Sequence, residues 1–239
     1  GGEFYEVIIG GAAFNKEVEA FFKKMGFPFT VGYGMTECAP IITYDDWKEE
    51  KLYSCGKAAP NMEIRIASKD PVNVPGEIQI KGANVFLGYY KNEEATAEVF
   101  TEDGWFRTGD LGYLDEDGYL YITGRSKNLI ILGNGKNIYP EELEAQLMTI
   151  DGVKDVMVYE RDGKICAAFH PVDINDADTI RTIKQGLTEI NAELPSYKKI
   201  VAYDFIAREF PKTTTLKIKR KEALRMIEEI IERNAAEHI

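Results

Sequence analysis

The apolar periodicity of this 239-residue chain changes twice, and those changes restrict the fold to a mixed α/β and α+β arrangement in three pieces. The first piece, residues 1–54, reads strand, loop, helix, strand. Tyr5-Glu6-Val7-Ile8-Ile9 is a short apolar run closed by Gly10-Gly11. Asn15 is the expected N-cap of a helix in which Val18, Phe21, Phe22 and Met25 recur at helical spacing. Glu17 and Glu19 sit early, Lys23 and Lys24 late, and Gly26 follows, matching dipole and C-cap preferences. Phe29-Thr30-Val31 is the next strand and runs into Gly32-Tyr33-Gly34. A βαβ unit places functional loops at the carboxyl ends of its strands, and Thr36-Glu37 falls in one.

From about residue 55 to 126 the pattern becomes period two. Met62-Glu63-Ile64-Arg65-Ile66 and Glu77-Ile78-Gln79-Ile80-Lys81, punctuated by Pro75-Gly76 and Gly82, predict short antiparallel strands. Asp115-Glu116-Asp117-Gly118 reads as a hairpin turn. A calcium loop is the poorer alternative there, because the remaining ligand spacing is missing. The third piece, residues 127–239, predicts a small α+β domain. Pro140 opens a helix containing Leu143 and Leu147, and strands span Val153–Tyr159 and Lys164–Phe169 around Asp162-Gly163. A helix near Asp176–Leu194, a strand over Ile200–Ile206 and an amphipathic helix with Leu224, Ile227, Ile230 and Ile231 complete it.

Composition excludes several functions. A net charge of −11 argues against a nucleic-acid or anionic-membrane surface. The longest apolar runs, such as Asn128–Leu132, are too short to cross a bilayer, and no secretory signal is expected. Cys38, Cys55 and Cys166 are few and widely spaced, which suits free structural thiols and a reducing cytoplasm. His170 and His238 lack metal-ligand spacing; a zinc site or Ser-His-Asp triad is not expected, and His170 reads as structural. Lys212, Lys217, Lys219, Arg220 and Lys221 crowd into ten residues, the pattern of a solvated helix entrance.

Four polar stretches can carry chemistry. Gly32-Tyr33-Gly34 lets backbone approach a flat ring that Tyr33 could stack on. Thr36 offers a hydroxyl to a phosphate, and Glu37 is a hard oxygen ligand suited to magnesium; a glycine-flexed turn with surface polar residues is the alternative. Asp110, after Thr108-Gly109, could accept hydrogen bonds from both hydroxyls of a ribose with help from Arg125, or form a buried Asp–Arg ion pair. Gly133-Asn134-Gly135-Lys136 lacks the spacing of a phosphate loop and reads equally as a glycine hairpin.

Taken together, these stretches resemble the acyl-activating, adenylate-forming superfamily of acyl-CoA synthetases, luciferases and peptide-synthetase adenylation domains. The resemblance runs from about Gly10 to Ala223. It includes Gly76–Ile80 with Gly88-Tyr89, Trp105–Leu111, Gly124-Arg125, Gly135–Glu144 and Pro211–Ile218. It implies the C-terminal part of such an enzyme: a βαβ remnant, a distorted β-barrel subdomain and a small α+β lid. By that likeness Gly11, Ala12, Tyr33 and Ile122, with Gly32 and Gly34, would line the adenine site. Thr36 would touch phosphates, Glu37 would hold Mg2+, and Asp110 and Arg125 would bind ribose. Lys127 would be a hinge, Lys217 would stabilise charge during adenylation, and Gly135 would border the coenzyme A channel. The implied reactants are ATP, coenzyme A and a fatty acid or other carboxylate. Lys127-Asn128 and Asn134–Pro140 look more like the fatty acyl-CoA ligase branch than like peptide-synthetase domains. Loading of a carrier protein, or a non-catalytic module retaining the fold, are the alternatives. Two departures stand out. Leu216 occupies the position before the lysine, where the family usually has glycine. The family's N-terminal portion, with its phosphate-cradling loop, is expected to lie outside this chain, so the chain alone is expected to be inactive.

Overall fold

The computed structural model describes residues 2–11, 13–214 and 216–237, and side chains through residue 233. Ala12 and His238 lie outside the described residues. The chain divides into two compact units, Gly1–Lys127 and Asn128–Ile239.

The first unit opens with β1 (Val7–Ile9), α1 (Lys16–Met25) and β2 (Phe29–Val31), with β1 and β2 parallel. The helix starts where the sequence marks it. Asn15 Oδ1 accepts from the Glu17 and Val18 N–H groups at 2.9 and 3.1 Å, and Gly26 closes the other end at φ 66°. Phe22 of its apolar stripe packs against Phe27 and buried Phe29, but the rest of the stripe is not turned inward. Val18, Phe21 and Met25 are exposed among the described residues, while Glu19 is buried beside Glu50 and accepts from the Tyr53 N–H. Periodicity located the stripe but carries no information on what covers it.

Next come β3 (Tyr33–Gly34), β4 (Ile41–Tyr44) and β5 (Lys57–Ala58), which form a three-stranded antiparallel sheet. β6 (Met62–Ala67), β7 (Gly76–Gly82), β8 (Phe106–Leu114) and β9 (Leu120–Arg125) form a second sheet in that spatial order, with α2 (Glu93–Glu98) between β7 and β8. The expected barrel is not closed: among the described residues both sheets are open. Four strands at the usual twist are too few to bring β6 round to β9. Ile42, Ile78, Ile80, Phe106 and Leu120 fill the core under these sheets. The Asp115–Gly118 turn joins β8 to β9. Lys51 Nζ lies 2.6 and 3.0 Å from the carboxylates of Asp115 and Asp117, so a cation of the protein's own occupies the acidic turn.

The second unit contains β10 (Ile130–Ile131), β11 (Asn137–Ile138), α3 (Pro140–Leu147), β12 (Val153–Arg161), β13 (Lys164–Pro171), α4 (Ala177–Glu193), β14 (Ala202–Phe205) and α5 (Arg220–Glu237). β12 and β13 are an antiparallel hairpin through Asp162-Gly163, both at positive φ, and β14 joins β13 in parallel. Residues 156–159 are buried without interruption because both sheet faces are covered. Val156 and Val158 pack with Leu143, Leu147, Ile183 and Leu187 of α3 and α4. Met157 and Tyr159 pack with Ala223, Met226 and Ile227 of α5. His170 is buried, its Nδ1 2.9 Å from the Ile206 carbonyl, a structural role as expected. Cys38, Cys55 and Cys166 are free thiols. No helix among the described residues is long and apolar enough to cross a membrane.

Candidate functional site

In the first unit the hairpin of β8 and β9 makes Asp110 and Arg125 direct register partners. The Asp110 side chain is 7% exposed, and both its oxygens are engaged. Tyr33 Oη donates to Oδ2 at 2.6 Å, and Arg125 Nε donates to Oδ1 at 2.9 Å. Thr108 Oγ1 donates to the Ile78 carbonyl at 2.8 Å and accepts the Asp110 N–H at 3.1 Å, fixing the strand beneath the carboxylate. Burial, and then the neighbouring Asp110 charge, push the Tyr33 phenol well above its ordinary range, so it remains a donor. The ion pair open as an alternative for Asp110 is therefore present. Each carboxylate oxygen keeps a further lone pair, so the Asp110 carboxylate can still accept hydroxyl donors, while the 41%-exposed Arg125 keeps N–H groups to donate.

Gly32-Tyr33-Gly34 is not a loose loop. Tyr33 and Gly34 pair with β4, and a Cβ on Gly34 would lie 1.9 Å from the Pro40 carbonyl oxygen. That glycine is required by the chain's own backbone. The Gly32 N–H donates to Ile9 O at 2.8 Å, which brings the end of β1, and with it exposed Gly11 at φ 86°, next to this segment. Ile122 sits on β9 opposite Gly112 and is 39% exposed.

Thr36 and Glu37 occupy a 3-10 turn, Thr36–Cys38, closed by the Cys38 N–H on Met35 O at 3.0 Å. Asn84 Nδ2 braces it from outside, donating to the carbonyls of Cys38 and Ile41 at 2.7 and 3.0 Å. Thr36 is exposed and Glu37 half-buried. The Glu37 carbonyl accepts from the Phe86 N–H at 2.8 Å, and Tyr89 Oη donates to Glu37 Oε1 at 3.0 Å. The sequence flagged Gly88-Tyr89 only as part of a motif; nothing in its spacing revealed a partner 52 positions away. Burial, then Glu37, push the Cys38 thiol up to about 12, so it is not a thiolate ligand.

Among the described residues no group of three His, Cys, Asp or Glu could by itself hold a metal ion. A lone carboxylate such as Glu37 fits magnesium brought in on phosphate oxygens, where one protein ligand suffices, and does not fit an all-protein cage.

Gly135 and Lys217 belong to the second unit. Gly135, at φ 75°, donates its N–H to Leu132 O at 2.8 Å, and the Leu132 N–H donates to Lys136 O at 3.0 Å. The stretch is a hairpin turn between β10 and β11, not a phosphate loop. Lys217 sits in a small loop based on the Lys212–Ile218 bridge. Its backbone is held twice by Thr213: Thr213 N–H to Lys217 O at 2.8 Å, and Lys217 N–H to Thr213 Oγ1 at 3.1 Å. Leu216 stands at φ 62°, the left-handed region that favours glycine. Of the basic cluster, Lys212 pairs with Asp155 at 2.7 Å, Lys219 with Glu222 at 3.2 Å and Arg220 with Glu144 at 2.7 Å. The Lys217 side chain is exposed and makes no ion pair among the described residues.

Comparison with known proteins places the chain in a family. Residues 3–90 match the family model described as AMP-binding enzyme, and residues 127–237 match the AMP-binding enzyme C-terminal domain. The long-chain-fatty-acid–CoA ligase FadD15 of Mycobacterium bovis is 32% identical over 92% of this chain and 40% of its own length. The 2-succinylbenzoate–CoA ligase of Bacillus pumilus is 38% identical over 83% of this chain and 41% of its own. The structure of O-succinylbenzoate coenzyme A synthetase from Bacillus subtilis in complex with ATP and magnesium superposes with a TM-score of 0.77. It is 31% identical, covering 92% of this chain and 46% of that one. The chain thus spans less than half the length of these relatives. With two consecutive family models, a shared fold and the signature stretches in order, the chain belongs to the adenylate-forming superfamily of AMP-binding enzymes.

Proposed function

We propose that this chain is the nucleotide-facing and lid-bearing portion of an ATP-dependent acyl-CoA ligase. Such an enzyme joins a carboxylate to the α-phosphorus of ATP, releases pyrophosphate, and passes the acyl group from AMP to the thiol of coenzyme A. The observation that carries this reading is the Asp110 carboxylate. Tyr33 and Arg125, from two other signature stretches, meet on it with contacts of 2.6 and 2.9 Å.

In this reading Asp110 accepts the ribose hydroxyls, and Tyr33, already fixed by its hydroxyl, stacks its ring on the adenine beside Gly11, Gly32, Gly34 and Ile122. Thr36 donates to a phosphate oxygen. Glu37 holds magnesium, which when bound offsets phosphate charge. Lys217, exposed and without an ion pair among the described residues, supplies positive charge to the pentavalent transition state. Lys127 is the hinge, and Gly135 borders the thiol path after the lid moves. One closed geometry cannot present both the lysine and the thiol, so a moving lid serves the two steps in turn.

A medium- or long-chain fatty acid is the substrate favoured by the Lys127-Asn128 and Asn134–Pro140 stretches and by the likeness to FadD15. The 2-succinylbenzoate–CoA ligase of Bacillus pumilus is 38% identical against 32% for FadD15, so the deciding assay runs both acids. The complete ligase is incubated with ATP, coenzyme A and each acid, and AMP and thioester are measured. A fatty acyl thioester is the expected product; formation of neither thioester overturns the reading. Isothermal titration of ATP into this chain alone should show no tight binding, and micromolar affinity would contradict the need for an upstream phosphate loop.

A further inference from the structure

Tyr89 has no role in the scheme above, yet it is built onto its most exposed carboxylate. The loop that carries it grips Glu37 twice. The Phe86 N–H holds the Glu37 carbonyl at 2.8 Å, and the Tyr89 hydroxyl holds Glu37 Oε1 at 3.0 Å. The loop is rigid for reasons visible in its packing. The Phe86 ring meets Tyr89 edge-on at 4.9 Å and meets core Phe106 at 5.5 Å. The Tyr89 N–H donates to Thr96 Oγ1 at 2.9 Å, and that hydroxyl donates to Asn92 O at 2.7 Å, within the N-cap of α2. Gly88 stands at φ 148°, and a Cβ there would lie 2.6 Å from Thr96 Cγ2, so only glycine lets the tyrosine approach its helix this closely.

The chemistry of this contact differs from that at Asp110. There a guanidinium neutralises the carboxylate. Among the described residues Glu37 makes no ion pair, and its side-chain partner is a neutral phenol. A neutral donor fixes one oxygen and the plane of the group while leaving its full negative charge and the second oxygen to a hard cation. A lysine or arginine in that place would compete with the metal.

We infer that Tyr89 is a positioning residue that orients the Glu37 carboxylate for a phosphate-borne divalent cation. This rests on the nucleotide-site reading given under Proposed function. Two measurements test it with Tyr89→Phe, which keeps the ring stack and removes only the hydroxyl. In this chain, side-chain 13C relaxation should show Glu37 ordered in the wild type. In the variant it should be as mobile as exposed Glu63. Equal order in both proteins overturns the inference. In the complete ligase, the Mn2+ concentration that half-saturates nucleotide binding, read from the EPR signal of free Mn2+, should rise about tenfold. Turnover at saturating metal and melting temperature should be unchanged. Glu37→Gln is the control. If it shifts the metal requirement and Tyr89→Phe does not, Tyr89 has no positioning role while the proposed function stands. If neither shifts it, Glu37 is not the metal ligand, and both this inference and that assignment fall.

Discussion

Removing the Glu144 carboxylate should strongly destabilise the second unit. Glu144 projects from α3, and its Oε1 accepts two hydrogen bonds at 2.7 Å. One comes from Arg220 Nη1 at the start of α5, the other from the Val158 N–H on β12. Arg220 also donates to the Val158 carbonyl. β12 is an edge strand, so this N–H and carbonyl face side chains and have no neighbouring strand. The side chains of Glu144 and Arg220 are 15% and 20% exposed. Glu144→Ala leaves a largely buried guanidinium without its counter-charge, which costs about 3 kcal/mol for a pair covered to this degree. It also orphans the Val158 N–H, worth about 1 kcal/mol more where water cannot reach it. Together these predict a loss of 3–4 kcal/mol, on the order of 12–16 °C in the transition of a unit this size. Glu144→Gln keeps the acceptor and should lose about half as much. Replacing both partners with methionine should recover most of the loss, because the desolvated charge disappears with its partner. Urea unfolding of wild type and the three variants, read as a shift in midpoint at constant slope, measures each loss. A Glu144→Ala loss below about 0.5 kcal/mol, or a double variant no better than the single, would refute this account of how the three elements are tied.

Three further outcomes are expected. Lys217→Ala in the complete ligase should slow adenylation by about a hundredfold or more and spare the thioester step; unchanged adenylation, measured by pyrophosphate release, removes its assigned role. Leu216→Gly should be neutral or stabilising by up to about 1 kcal/mol in urea unfolding, because it relieves a left-handed leucine at φ 62°. The same change at an ordinary exposed position would destabilise by about 0.5–1 kcal/mol, and such a loss here would contradict the observed backbone. Finally, burial, reinforced by Glu50 and opposed by the Tyr53 N–H, raises the Glu19 carboxyl above its ordinary 4.5. The folded state then holds a proton that the unfolded chain has released, so Glu19 costs stability increasingly as pH rises from 4.5. Wild type should lose stability relative to Glu19→Gln over that rise; a pH-independent difference between the two melting curves would contradict it.

Local signals in the sequence were read by local physics, and those elements are present. Asn15 and Gly26 bracket α1, Pro140 opens α3, Asp176 caps α4, and Asp162-Gly163 turns β12 into β13. The Asp110–Arg125 pair was legible as an alternative because a short hairpin lies between its members. What stayed hidden depends on contacts between distant segments. Nothing in a window around Glu37 points to Tyr89, and nothing around Glu144 points to Arg220, 76 positions away. Helical spacing gave Val18, Phe21 and Met25 a common face, but a face has no address. The glycines of Gly32-Tyr33-Gly34 were read toward a ligand, and Gly34 turns out to serve the neighbouring turn at Pro40.

The doubly bonded Asp110 changes how signature residues report on activity. A carboxylate on which a phenol and a guanidinium both lean serves the fold, whatever else it does. If the proposed function holds, a descendant that had abandoned the reaction would still be destabilised by its loss, so Asp110 and Arg125 would outlast the chemistry. Among the described residues the Lys217 side chain makes no ion pair, so under the proposed function its drift to another residue would be the earlier sign that a relative has become a pseudoenzyme.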